Sequence, residues 1–539
     1  MVDLLPAWYS SKTLPKKIER TMLQDIFTLQ EWSTLQLIFG LATALLLAKS
    51  FFNAIYAENS FKYAESKLHG AVAPKLTPSH GIFGWRDLSA LFNPKQLFPI
   101  TTLPSRHDMY GDTFATRYLN KEILFTSNPL NIKELLTNRH GYFDTTEMRQ
   151  RGLSEINWHP FSNDRHFDMH RLVVGYIAKN IKDLSAKIDH LIIQSLADIC
   201  NESFPVSKKK EIEITELSNQ IVIHFINYMA LGEEKELELV GNSDARPAFI
   251  SHFISFFRPL LSGLGMTVFM PPYIVSLLFP SIAKKKQITR KLFLSMAGMV
   301  GLQNKDQATH SLGSTFANHF QQETITSDQL FNFYAAATQG TLGSMQIGLA
   351  LLAQNQAAQD KLRRIVRSTF PSTESITEQA LLQCQYLQWI INEALRLHPV
   401  VSLTTRIALR DCTLPAGGGP NHSQPVIVRK GQQIIASYTH LHRRQDVWGP
   451  DSNNFVPERW NEENSKTFLP FAYGPSTCPG SRIGRLTTSI WLVRLMQQFD
   501  SIESCMNETD SNREPKLRMG YTVTLTLKKT RLMFTHRSN

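Results

Sequence analysis

The sequence predicts a mainly α (α+β) fold with small β-sheets and one long central helix. Three observations predict it. Apolar residues recur at helical spacing through residues 164–240 and again through Ser327–Gln356. Short strand-like runs, Thr113–Tyr118 and Ile123–Thr126, precede a helix over Pro129–Thr137. Near the C-terminus, Ile483, Leu486, Ile490, Val493 and Met496 recur at spacings of three and four, which marks another helix.

Size and composition bound the rest. The chain has 539 residues, 42% hydrophobic and 10% aromatic, enough for a large core. A net charge of +11 is dispersed rather than clustered. It suits an anionic membrane surface or an acidic protein partner, and no nucleic-acid motif accompanies it. The five cysteines, Cys200, Cys384, Cys412, Cys478 and Cys505, are odd in number, far apart and form no C-x-x-C pair. That pattern argues against a disulfide framework or a zinc site and for a reducing compartment.

Residues 1–34 are a mixed polar segment. Residues 35–57 read as a single transmembrane helix: an apolar run interrupted by Lys49 and flanked by Trp32 and Tyr56. Residues 58–98 are punctuated by Gly70, Pro74, Pro78, Gly81, Gly84 and Pro94 and read as a stiff hinge. Residues 99–539 form the main domain. Within it, the apolar, proline-broken stretch 250–282 is either ordinary core or a loop dipping into a membrane.

The long helix has Ser327 as its expected N-cap. Inside it lies Tyr334-Ala-Ala-Ala-Thr-Gln-Gly-Thr-Leu-Gly343. Two glycines and three alanines forfeit packing in mid-helix. Either another helix packs closely there, or the helix lies over a flat cofactor with Thr341 as the polar group. Downstream, Glu393 and Arg396 share a helix face at i,i+3 among apolar neighbours, and Arg459 supplies a second guanidinium. A buried pair of this kind needs further partners to be tolerated.

The most specific stretch is Phe468-Leu-Pro-Phe-Ala-Tyr-Gly-Pro-Ser-Thr-Cys478-Pro-Gly480. Pro479 suits the first helical position, which puts Cys478 at a helix N-terminus. Free N–H groups and the helix dipole there favour a thiolate. Gly480 lets a flat ligand approach the backbone. A thiolate so held is a good axial ligand for haem iron; the plain alternative is a buried free thiol.

The string Phe471-x-x-Gly474-x-x-x-Cys478-x-Gly480 resembles the haem-binding signature of cytochrome P450. Glu393-x-x-Arg396 followed by Pro457-Glu-Arg459 resembles that family's structural triad. The likeness covers roughly residues 70–530. The glycine-rich insertion Asp411–Pro420 and the run His442–Pro450 resemble the microsomal-type fungal branch of alkane and fatty-acid hydroxylases. The resemblance implies haem b with Cys478 as axial thiolate, flanked by Phe471, Gly474 and Gly480. It also implies a single-pass endoplasmic reticulum membrane protein with a cytosolic catalytic domain. Electrons would come from NADPH through NADPH–cytochrome P450 reductase, with Lys361, Arg363, Arg364, Arg367, Arg443 and Arg444 as docking candidates or plain solvated charge. By position in the family pattern, Ala336, Ala337, Gly340, Val401, Leu403 and Tyr521 line the substrate pocket.

Four departures from the pattern matter. Gly340 stands where the family carries an acid before Thr341. Ser476 stands where an arginine is expected, Phe167 where a tryptophan precedes Arg171, and Gly175 where a further arginine is common. The resemblance then leaves Arg171 and Arg406, with His170, to meet the haem propionates. The implied reaction is insertion of one oxygen atom from O2 into a lipophilic substrate, read as a fungal secondary-metabolite intermediate (terpenoid, polyketide or alkaloid). The alternatives are terminal hydroxylation of a long-chain fatty acid or alkane, an O2-independent peroxide rearrangement, and a non-catalytic haem-binding protein.

Overall fold

The computed structural model describes residues 98–118, 121–137, 142–144, 163–201, 208–233, 280–301, 311–370, 376–419, 421–461, 467–505, 519–521 and 524–537. All of them belong to one compact unit, Leu68–Asn539. The expected membrane helix 35–57, the hinge 58–98 apart from Phe98, and the stretch 250–282 apart from Pro280, Ser281 and Ile282 lie outside the described residues. Among the described residues no helix is long and apolar enough to cross a membrane.

Helix α1 (Leu103–Tyr110) leads into strands β1 (Thr113–Tyr118) and β2 (Lys121–Thr126) and helix α2 (Pro129–Thr137), close to the sequence expectation. With β3 (Phe143–Asp144), β5 (Leu403–Ala408) and β8 (Gln433–Ser437), β1 and β2 make a five-stranded sheet in the order β1-β2-β8-β5-β3. The β2–β8 pair is parallel, with Ile123 opposite Gln433, so its two strands come from opposite ends of the domain.

The hairpin of β6 (Cys412–Gly418) and β7 (Gln424–Val428) carries the glycine-rich insertion. It is not a free tip. Gly417 is buried at φ +103°, and a Cβ there would collide with the Thr113 side chain. Asn131 of α2 clamps the strand: its Nδ2 donates to Ala416 O at 2.8 Å and its Oδ1 accepts from Ala416 N at 3.0 Å. Only glycine permits both this backbone conformation and this approach.

Helical periodicity over 164–240 resolves into α3 (Asn163–Asn201), strand β4 (Lys209–Glu213) and α4 (Ile214–Leu231). The break is tertiary. Lys209–Glu213 pairs antiparallel with β12 (Arg531–His536), which in turn pairs with β9 (Phe499–Ser504). Sheet pairing overrides the local pattern there.

Helices α5 (Pro280–Gly301) and α6 (Leu312–Phe320) lead to the long helix α7 (Glu323–Gln354). The helix starts four residues before the expected cap: Gln322 is extended, Glu323 places its carboxylate in the first turn, and Ser327 is buried inside. From Leu342 to Ala353 every residue is buried. Polar side chains tie the helix to its neighbours. Tyr334 donates to Asn227 Oδ1 at 2.8 Å, and Gln346 donates to Ser218 at 2.8 Å while accepting from Leu527 N at 3.0 Å. Short helices α8 (Gln356–Thr369) and α9 (Glu378–Gln383) then lead to α10 (Gln385–Leu397). After β8 come α11 (Tyr438–Leu441), α12 (Gln445–Trp448) and the C-terminal helix α13 (Ser481–Gln498), which packs on α7 where Thr488 and Leu492 meet Gly348.

Candidate active site

Cysteine loop. Leu469 N donates to the ring of His442, and from there the chain folds back on itself. Ala472 and Gly474 take positive φ angles of 62° and 60°. This double left-handed bend brings Cys478 N to 2.8 Å from Phe471 O. The α13 helix begins at Ser481 with Gly480 at its cap, so Pro479 lies before the helix rather than at its first position. Cys478 O instead accepts from Ser481 N at 3.2 Å in a turn.

The thiol sits in an unusual setting. Cys478 is exposed by area, yet burial pushes its pKa up, as at the wall of a hollow. The N–H groups of Gly480 and Ser481 approach the sulfur and pull the pKa back down, but burial prevails. The expected bias towards thiolate is therefore not met by the protein alone; a coordinated metal deprotonates a thiol outright. At Gly480 an added Cβ would stand 3.9 Å from Cys478 Sγ, beside the exposed sulfur. An exposed sulfur with two backbone donors and a side-chain-free neighbour fits an axially ligated haem.

Behind the loop, Glu393 and Arg396 are fully buried. Arg396 grips both oxygens of Glu393 at 2.8 Å and donates to the carbonyls of His442 at 2.8 Å, Ser452 at 2.6 Å and Asn454 at 3.0 Å. Glu393 also accepts from Arg459 Nε at 2.9 Å, Val456 N at 2.9 Å and Trp460 Nε1 at 3.0 Å. Every lone pair in reach is used, which is what a buried ion pair requires. The network reaches the cysteine loop twice. Trp460 packs edge-on to Phe468 at 4.5 Å, and the His442 ring holds Leu469 N at 3.0 Å. Burial with Arg396 and Arg443 alongside lowers the His442 pKa to about 3, so its ring is neutral and accepts that bond. Sequence reading missed His442 in this role, although it lies in the run His442–Pro450. It missed Arg485 too. That guanidinium donates to Asn392 Oδ1 at 2.8 Å and lies 5.2 Å over the Phe471 ring.

On the long helix, Ala336 is exposed and Ala337 and Gly340 are half-buried, amid otherwise buried neighbours. A Cβ at Gly340 would meet nothing within 4 Å. At Gly343 it would sit 2.5 Å from Leu525 O and 2.8 Å from Val400 Cγ1. The two glycines thus do different things: Gly343 permits close packing, whereas Gly340 borders open space. Thr341 is buried. Thr338 Oγ1 and Gln339 Oε1 are buried with no hydrogen-bond partner among the described residues. Such atoms call for ordered water.

Other expected positions scatter. Val401 is 38% exposed and Leu403 half-buried at the start of β5. Tyr521 pairs by its backbone with Leu525, where β10 (Met519–Tyr521) meets β11 (Leu525–Leu527). Arg406 is buried on β5 and donates to Thr404 Oγ1 at 3.0 Å and Thr405 O at 2.8 Å. Arg171 departs from expectation. Its side chain is 73% exposed and pairs with Asp168 at 3.0 Å, while its neighbour His170 reaches the cysteine loop at Thr477 O, 2.9 Å away. Of the six docking candidates, Lys361 holds Glu458, Arg363 holds Asp360, Arg367 holds Asp500, Arg443 holds Leu397 O and Arg444 holds Asp112 and Asp446. These five charges are engaged within the protein, and Arg364 is exposed.

The family model described as Cytochrome P450 matches residues 95–532. Among curated proteins, the chain is 26% identical over 511 residues to Cytochrome P450 52A12 of Debaryomyces hansenii, covering 89% of this chain and 95% of that protein. It is 26% identical over 425 residues to Cytochrome P450 52C1 of Candida tropicalis, covering 74% and 81%. It is 28% identical over 439 residues to Cytochrome P450 monooxygenase g430 of a Fusarium species, covering 76% and 75%. A cysteine loop strapped to a buried Glu–Arg–Arg network, beneath a family match that spans most of the chain, makes this protein a member of the cytochrome P450 family and a monooxygenase of its fungal branch.

Proposed function

We propose that the protein holds haem b through Cys478 and oxidises a lipophilic tailoring intermediate of fungal secondary metabolism. The observation that carries the substrate reading is the open space beside Gly340 and the exposed Ala336 among half-buried Ala335 and Ala337. Small residues there leave room for a bulky apolar substrate. Val401, Leu403 and Tyr521 would line the same pocket. Likeness over 511 residues to Cytochrome P450 52A12 supports a second reading, terminal hydroxylation of a long-chain fatty acid or alkane.

The bound haem supplies activation of O2 with two electrons delivered from NADPH through a membrane-bound reductase. The protein does the rest. Phe471 O fixes the Cys478 amide, Gly474 supplies the bend, and Gly480 keeps the approach to sulfur clear. Arg406 meets propionate charge, and the exposed Arg171 serves only by turning away from Asp168. Thr341 carries the proton. Because Gly340 offers no carboxylate to recharge that hydroxyl, water held by Thr338 and Gln339 takes its place. Residues 35–57 anchor the chain in the endoplasmic reticulum membrane.

The test is spectral. Reduced protein with carbon monoxide shows the absorbance shift of thiolate-ligated haem, and Cys478→Ala abolishes it. A screen of substrate-binding spectra across terpenoids, polyketides, alkaloids and fatty acids then separates the readings; tight binding of fatty acids alone overturns the tailoring assignment. Turnover without NADPH and reductase overturns oxygen insertion in favour of peroxide rearrangement.

A further inference from the structure

Ser476 in the cysteine loop, and Phe167 and Gly175 on α3, stand where the pattern implies charged or indole anchors. Ser476 instead donates its hydroxyl to Leu136 O at 3.2 Å. Within the loop, Thr477 is held by its own side chain, whose Oγ1 donates to Gly474 O at 2.7 Å. The peptide between Thr477 and Cys478 is held at both ends. Its N–H points to Phe471 O at 2.8 Å, and its carbonyl lies 2.9 Å from Nε2 of His170 on α3. A carbonyl can only accept, so His170 carries its proton on Nε2 and donates. Fixing a peptide plane at both ends leaves only φ and χ1 of Cys478 to turn the sulfur.

The neighbours of His170 leave it to this task. Asp168 pairs with Arg171 at 3.0 Å and His319 at 3.5 Å. Arg171 is turned to solvent. Among the described residues, the hydrogen bond between α3 and the peptide preceding Cys478 comes from the His170 imidazole.

We propose that His170 is a positioning residue: it locks the 477–478 peptide plane so that Cys478 presents its sulfur in one orientation. The proposal rests on the haem-thiolate reading above. It differs from a role in meeting propionate charge, because the bond runs to the backbone of the ligand loop.

The test compares His170→Gln, whose amide can still donate, with His170→Met, which matches its length and cannot; His170→Ala removes the contact altogether. Full-length holoprotein is assayed for haem content, for the fraction of reduced-CO spectrum in the thiolate-shifted band, and for hydrogen exchange at the Cys478 amide. Met and Ala variants should keep their haem yet show a several-fold larger unshifted fraction and roughly tenfold faster exchange at Cys478, the effect of losing a net bond of about 1.4 kcal/mol. The Gln variant should stay near wild type on both. Met and Gln variants that behave alike overturn the proposal, as does exchange that quickens throughout α3 instead of at the loop. If wild type itself lacks the shifted band, the haem-thiolate reading fails, and the Gln–Met contrast in amide exchange still decides whether His170 is the strut.

Discussion

The cysteine loop and the long helix are built in opposite ways. On the cysteine side, Glu393 takes donors from Arg396, Arg459, Val456 and Trp460, and Arg396 spends its remaining N–H groups on three carbonyls. On the side of the long helix, Gly340 borders open space while Thr338 Oγ1 and Gln339 Oε1 lack partners among the described residues. Saturated buried networks rigidify, and partly satisfied ones leave room for water and ligand. The support of the cysteine loop is thus over-determined, and the long helix around Gly340 is left adaptable. Substitutions should therefore divide by side: stability effects behind the cysteine, and coupling effects on the helix.

The largest effect expected is at Glu393. Glu393→Ala strands two buried guanidinium groups and should cost about 3–5 kcal/mol, read as a lower denaturation midpoint with loss of haem. A change under about 1 kcal/mol would mean the network is not the keystone it looks like. Next comes the pH dependence. The buried rings of His107 and His442 have pKa values lowered to about 3. Above the ordinary value of 6.5 both are neutral in folded and unfolded chains, so they add no slope. As pH falls from 6.5 towards 3, the unfolded chain takes up protons that the folded one refuses. Stability should then fall by on the order of 1 kcal/mol per pH unit for each ring. Thermal melts of wild type and His442→Asn below pH 6.5 test this; equal slopes would show that His442 does not carry it.

The two glycines of the helix sharpen the contrast further. Gly343→Ala drives a Cβ to 2.5 Å from Leu525 O and should cost about 1–3 kcal/mol. Gly340→Ala meets nothing within 4 Å and should gain up to about 1 kcal/mol from helix propensity. The smallest effect on stability, and the most telling for function, is at Gly340→Asp. There is space for a carboxylate beside Thr341, so product formed per NADPH consumed should rise. No rise would show that water at Thr338 and Gln339 already suffices.

Local signals carried well into the structure. Thr113–Tyr118 is a strand and Pro129–Thr137 a helix at the expected residues, because alternation and the N-terminal proline act within a few positions. Glu393 and Arg396 pair as their i,i+3 spacing suggests, and Arg459 joins them, which spacing alone does not give. What failed was set at long range or by competing local forces. Strand Lys209–Glu213 depends on a partner more than 300 residues away. Cys478 misses the helix N-terminus because the chain turns once more through Pro479 and Gly480. Ser327 looked like a cap, but the helix is extended backwards through Glu323. The bonds that His170 and His442 make could not be read. Each acts on a backbone atom of the cysteine loop, and a backbone atom leaves no trace in residue identity.

Strand Arg531–His536 lies in the middle of its sheet, between Lys209–Glu213 on one side and Phe499–Ser504 on the other. That strand follows both of its partners in the chain. Until it is made the other two have no shared neighbour, and their unpaired edges are open to chaperones or to a second nascent chain. A premature stop that removes Arg531–His536 would take away the centre of a sheet rather than a loose end, and the quality-control machinery would meet two strands left without their shared neighbour.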